Sequence, residues 1–178
     1  MVTTSPTSRY VLANSFSLRL IPRRFYKIRS EPSSTEIMLS RLFKLSLESL
    51  RGYMAAREVS LGADLTTFVD VVASQRYAQC RELATLLGYL DSSPDTLPRD
   101  VTRMKRMWTG AADDLRQENV RHFLQAVVKA EQRLEDALLL AARQAETEAV
   151  KNCLHAFAIN ICSVQDRLDE MLSDSLAE

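Results

Sequence analysis

Apolar residues recur every three or four positions over five stretches of the chain, a period that predicts amphipathic helices rather than strands. The first stretch, residues 35–57, carries Leu39, Leu42, Phe43, Leu50, Tyr53 and Met54 on one face, with Ser34 or Thr35 placed to cap its start. Gly62 marks the turn that follows, and Asp64 is the expected cap of a second helix over 65–90. That helix lines up Leu65, Phe68, Val69, Val72, Cys80, Leu83, Leu87 and Leu90. A break then contains Pro94 and Pro98, which stop and restart the chain. A shorter third helix, 99–115, turns Val101, Met104, Trp108 and Leu115 inward. Asn119 is placed to cap a fourth over 120–143, whose stripe is Val120, Phe123, Leu124, Val127, Leu134 and Leu138. The fifth, 147–172, presents Val150, Cys153, Phe157, Ile161, Val164, Leu168 and Met171.

Four of these helices are long, at roughly 35–39 Å each, and short connections between long helices make antiparallel neighbours. The expected fold is therefore all-α: an antiparallel four-helix bundle, with the short third helix inserted where the chain crosses between its halves. Composition agrees, since only 4 Gly and 5 Pro are present to build turns.

Projecting each helix at about 100° per residue places several polar residues on the apolar faces. Arg76 and Gln79 fall mid-stripe between Val72 and Leu83, and Glu131 falls between Val127 and Leu138 with Glu135 to one side. Asn160 lies near the edge of the fifth stripe and the first helix contributes Ser46. A charge at the centre of a core stripe needs a partner, because its desolvation otherwise costs several kcal/mol. Arg76 and Glu131 are each near the middle of their helices and are the expected pair. Gln79, with Tyr53, would join them by hydrogen bonds and fix helix register. A polar pocket for a small anion or metabolite is the other use of such residues.

Charge is distributed unevenly. The chain is neutral overall, yet residues 1–30 hold six basic side chains and no acidic one. From Met38 onward 17 basic residues face 21 acidic ones, a net of −4. A mildly acidic body argues against nucleic acid as the partner of the bundle. No apolar run approaches the roughly 18 residues of a membrane span. Residues 1–37 are read as a basic extension outside the fold, either disordered or the product of an overlong start preceding Met38. An organelle transit peptide has the same Arg- and Ser-rich composition. A bacterial secretion signal is not expected, because Arg19, Arg23 and Arg24 interrupt any apolar core before a small-residue cleavage site. Cys80, Cys153 and Cys162 are odd in number, lie within helical patterns and have no zinc-ligand spacing. They fit small buried hydrophobes in a reducing compartment, and the expected location is the cytoplasm.

Several short motifs bear on family. Gly52-Tyr53-x-Ala55-Ala56 closes the first helix, Gln75-Arg76 precedes Glu82-Leu83 in the second, and Trp108 precedes Glu131-x-x-x-Glu135-Asp136-Ala137. Over about Leu39 to Met171 the chain resembles the bacterial ferritin-like four-helix-bundle domain of unknown function found in small stress-associated proteins. The resemblance implies a ferritin-like bundle and little about activity. Ferritin-like bundles often hold a di-iron or di-manganese site built from Glu and Glu-x-x-His ligands. This chain departs from that pattern: it has no Glu-x-x-His, and Arg76 and Gln79 stand where Glu and His would fall. Arg stays protonated and cannot ligate a metal. His122, His155 and Glu48 project away from the stripes.

The expectation is thus a non-enzymatic structural or interaction protein without a cofactor, whose Arg76–Glu131 pair replaces a metal site. The alternative is a di-iron type oxidoreductase or iron-handling protein using Glu131 and Glu135, and a further one is a small-ligand carrier with Arg76 at the pocket floor. An outward-facing His pair and four isolated glycines supply neither a nucleophilic triad nor a phosphate loop. Arg103, Lys105 and Arg106 form a basic cluster read as a solvated face or a contact for an acidic partner. Leu47, Leu86, Leu139 and Leu140 lie off the stripes and would suit self-association as a homo-oligomer.

Overall fold

A computed structural model describes residues 33–59, 62–88 and 98–174. They form five helices, α1 (Ser34–Arg57), α2 (Ala63–Leu86), α3 (Arg99–Arg116), α4 (Val120–Gln144) and α5 (Glu148–Asp174). No strand occurs among the described residues. The proposed extension 1–37 lies outside them as far as residue 32.

Local chemistry sets the helix ends. The α1 cap is Ser33, one residue ahead of the expected position: its hydroxyl accepts from the Glu36 amide while the Glu36 carboxylate accepts from the Ser33 amide. This capping box starts the helix four residues upstream of Met38. At α2 the N-cap is Gly62, and Asp64 sits inside the first turn instead of capping it. The same helix ends at Leu86, short of the expected residue 90. Gly88 adopts φ 63° and its amide bonds back to the Thr85 carbonyl, a left-handed stop that glycine takes without a Cβ clash. Leu90 lies outside the described residues.

The α3–α4 turn is tighter still. The Glu118 amide bonds to the Leu115 carbonyl at 3.0 Å and the Asn119 amide to the Asp114 carbonyl at 2.9 Å, the paired bonds of a Schellman motif. Glu118 occupies its left-handed position at φ 61°, where glycine is usual. Asn119 then caps α4 as expected, accepting from the His122 amide. One residue thus ends one helix and begins the next.

Side-chain pairings give the directions. Arg57 meets Asp70 and Ser46 meets Gln79, so α1 and α2 are antiparallel. Arg41 meets Asp100 while Gly52 and Tyr53 meet Trp108, so α1 and α3 are parallel. Ser49 and Tyr53 meet Glu131, whereas Met38 and Leu42 lie against Ala141, which runs α4 antiparallel to α1. Glu135 meets Cys162 and Gln165 across the α4–α5 pair. The four long helices therefore run up, down, down and up, with α3 returning the chain between the second and third.

Helix α1 is the hub, packing against α2, α3 and α4, while α5 rests mainly on α4 and touches α2 along a narrow seam. This arrangement explains where the expected stripes shift. Enclosed on three sides, α1 buries Leu45, Glu48, Ser49, Gly52 and Ala56 beyond the residues predicted for its core face, and leaves Phe43 half-buried and Met54 exposed. Glu48, expected to face away, is 6% exposed and held by Arg51. Supported chiefly from one side, α5 rotates Leu154 and Ala158 into the core, and Val150, Cys153, Phe157 and Met171 are only partly covered. Val120 and Asn160 are exposed rather than in or beside the stripe. The remaining apolar positions named for α2, α3 and α4 within the described residues are buried, apart from the half-buried Leu87.

Where α1 crosses α3 the backbones come close because Gly52 has no side chain. A Cβ there would fall within the indole of Trp108, whose ring packs 4.7 Å from that of Tyr53. Tyr53 also meets Phe68 of α2 edge-on at 6.3 Å, so a single ring ties α1 to both α2 and α3.

Candidate functional site

At mid-height the bundle interior turns polar. Arg76 (1% exposed) reaches from α2 across the diagonal to Glu131 (0%) on α4 and donates through Nη2 to Oε2. The other carboxylate oxygen, Oε1, accepts from Tyr53 Oη at 2.9 Å and from Ser49 Oγ at 3.2 Å, both on α1. Arg76 Nη1 donates to Gln79 Oε1 at 3.1 Å, and Gln79 Nε2 donates in turn to Ser46 Oγ at 3.1 Å. Three helices are joined by one network around one buried carboxylate. Arg76 Nε remains without a partner, as does the indole Nε1 of Trp108.

The expected trio Arg76, Gln79 and Glu131 is thus brought together, with Tyr53 as a fourth member. Ser49 was missed, and the role of Ser46 was not specified. Their signal was present in the chain: Ser46, Ser49 and Tyr53 are spaced by three and four, the interval that puts residues on one helix face.

Electrostatics follows from burial. Burial first, then the Glu131 charge beside it, holds the Tyr53 phenol well above its ordinary value, so it remains a donor to the carboxylate. One turn beyond Arg76, burial pushes the Cys80 thiol up to about 11 despite the opposing Arg76 charge.

The two carboxylates of the metal alternative do not converge. Glu131 turns into the core, whereas Glu135 turns toward α5, accepting from Cys162 Sγ at 3.2 Å and Gln165 Nε2 at 3.0 Å. That hydrogen bond from Cys162 is the main cause of its raised thiol pKa. Among the described residues no three of His, Cys, Asp and Glu gather to hold a metal ion. His122 is exposed and paired with Asn119 through Nδ1, and His155 is half-buried rather than fully outward. Two surface depressions lie away from Arg76: one of about 640 Å³ on the C-terminal turns of α5, the other of about 20 Å³ between α1 and α4. Of the apolar residues assigned to self-association, Leu86 and Leu140 are exposed, while Leu47 and Leu139 are half-buried. No helix among the described residues is long and apolar enough to cross a membrane.

Comparison with protein-family models, with curated proteins and with solved structures finds no match.

Proposed function

We infer that the chain is a non-enzymatic, ferritin-like bundle serving a structural or interaction role, in which the Arg76–Glu131 pair occupies the place of a metal site. The observation that carries this reading is the saturation of the central carboxylate. Glu131 accepts from a guanidinium, a phenol and a hydroxyl, and a cation already neutralises it. A metal at that point would have to expel Arg76, whose charge would then be stranded in the core at a cost of several kcal/mol. The up-down-down-up course of the four long helices supports the ferritin-like assignment, as one long crossover between helix pairs is the topology of that class.

The test is elemental analysis for iron, manganese and zinc on protein purified without chelators from metal-supplemented cells. Substoichiometric metal is expected. One or two ions per chain would overturn the reading, and Glu131→Gln would then be the first variant to examine for metal loss.

A further inference from the structure

A second group of charges lies on the surface where α3 meets α4. Arg99, Arg103 and Arg106 are spaced by four and three along α3, so they share an outward face. On α4, Arg133 reaches over the seam to the Met107 sulfur, and burial, then the nearby Arg103 guanidinium, lowers its pKa; Lys129 lies one turn away on the same face of α4. None of the five cations forms an ion pair among the described residues, although most of the other arginines there do. Like charges crowded without counter-ions repel, so this surface is stabilised by whatever brings acid to it.

The same chain carries a complementary surface. The depression on α5 is lined by Asp166, Asp169, Glu170 and Asp174, with Arg167 committed to Glu170. It is open to solvent, all of its lining residues belong to α5, and α5 packs on α4 without contacting α3. Arg99–Arg106 lies alongside the middle of α1, level with Lys129 and Arg133, whereas residues 166–174 form the last turns of α5, a helix that does not contact α3. Within one molecule the two surfaces do not meet.

We propose that the basic face of α3 and α4 docks a second copy of this chain through the acidic depression at the end of its α5. Such a contact joins unlike surfaces. It leaves one of each free at the ends of a pair, so assembly proceeds head to tail into a ring or an open chain. Attraction between exposed charges sets its strength, so salt controls it: the Debye length shrinks from roughly 30 Å at 0.01 M to about 3 Å at 1 M. This gives a partner to the interaction role proposed above, and it is tested independently of metal content.

The experiment is sedimentation velocity of the full chain at up to about 0.1 mM, at low and at high ionic strength. The expected result is a mass that is at least roughly double that of one chain at low salt and returns to one chain at high salt. Arg103→Glu/Arg106→Glu and Asp166→Lys/Asp169→Lys should each sediment as single chains with unchanged helicity. Mixed, the two should assemble again, because the reversed surface of each complements the other. Should the first pair fail to fold, Arg99→Glu/Lys129→Glu tests the same face. A wild-type monomer at low salt would overturn the proposal, as would assembly that persists in both variants. So would a monomer whose basic face binds a short RNA in a manner abolished by Arg103→Glu/Arg106→Glu, since the partner would then be nucleic acid.

Discussion

Replacing Arg76 by Leu removes the cation from a carboxylate that has no route to solvent. Glu131 keeps its bonds from Tyr53 and Ser49 but loses its counter-charge, and Gln79 Oε1 loses its donor as well. Breaking a buried pair in this way costs about 3–5 kcal/mol, a large share of the 5–15 kcal/mol typical of a whole domain. The choice of second substitution decides how much returns. Glu131→Leu on the Arg76→Leu background removes the stranded charge but orphans the Tyr53 and Ser49 hydroxyls, each at about 1–3 kcal/mol. Glu131→Gln leaves an uncharged acceptor for Tyr53 and should recover more. Urea denaturation followed by far-UV circular dichroism measures the wild type, Arg76→Leu, Glu131→Gln and the double variant, with a constant slope taken as evidence that the unfolded state is unchanged. A coupling energy of at least about 1 kcal/mol between the two sites is expected. If Arg76→Leu falls within about 0.5 kcal/mol of the wild type, the range of ordinary surface substitutions, the pair is not buried and the argument fails.

Three further outcomes follow from the packing and the ionisable groups. Gly52→Ala forces a methyl into the Trp108 ring and should cost about 1–3 kcal/mol; Trp108 is the sole tryptophan, so a shift in intrinsic fluorescence should accompany it, and an unchanged spectrum and midpoint would refute the contact. Because the folded Cys80 thiol ionises near 11 and an ordinary one near 9, the unfolded chain releases its proton first; stability should hold below pH 9 and fall by roughly 2 kcal/mol as pH rises to 11. Urea midpoints across that range should flatten between pH 9 and 10 in Cys80→Ala, and an unaltered slope would count against the assignment. Glu118→Gly relieves a left-handed residue and should stabilise by about 0.5–1 kcal/mol, read as a higher thermal midpoint; a lower one would place the strain elsewhere.

The period of apolar residues located all five helices, and projection alone placed Arg76, Gln79 and Glu131 together, because a charge at mid-stripe has few ways to be satisfied. What the projection lacked was the number of neighbours each helix would have. Glu48 looked outward only on the assumption that α1 had a free side, and α1 is flanked by three helices. The opposite error befell α5, where Cys153, Phe157 and Met171 satisfy the helical period but face a seam that α2 barely fills. Ser49 went unassigned because a serine reads equally well as surface or as core until its acceptor is known. Helix ends were missed where backbone conformation, rather than a side chain, makes the cap, as at Gly62 and Gly88.

The diagonal reach of Arg76 also bears on how the molecule comes apart. Helices α2 and α4 are held to each other through side chains rather than by neighbouring backbones, and the two ends of the pair are 55 residues apart in the chain. If α2 peels away alone, Glu131 loses its counter-charge and keeps only its bonds from Tyr53 and Ser49; if α4 leaves, Arg76 loses its carboxylate. Either half-open form carries a penalty that the fully unfolded chain, hydrated throughout, escapes. Partial opening is thereby made less favourable than it would be without the pair. Amide protons of α1, α2 and α4 near the network should accordingly exchange through one global event, with similar protection on all three helices.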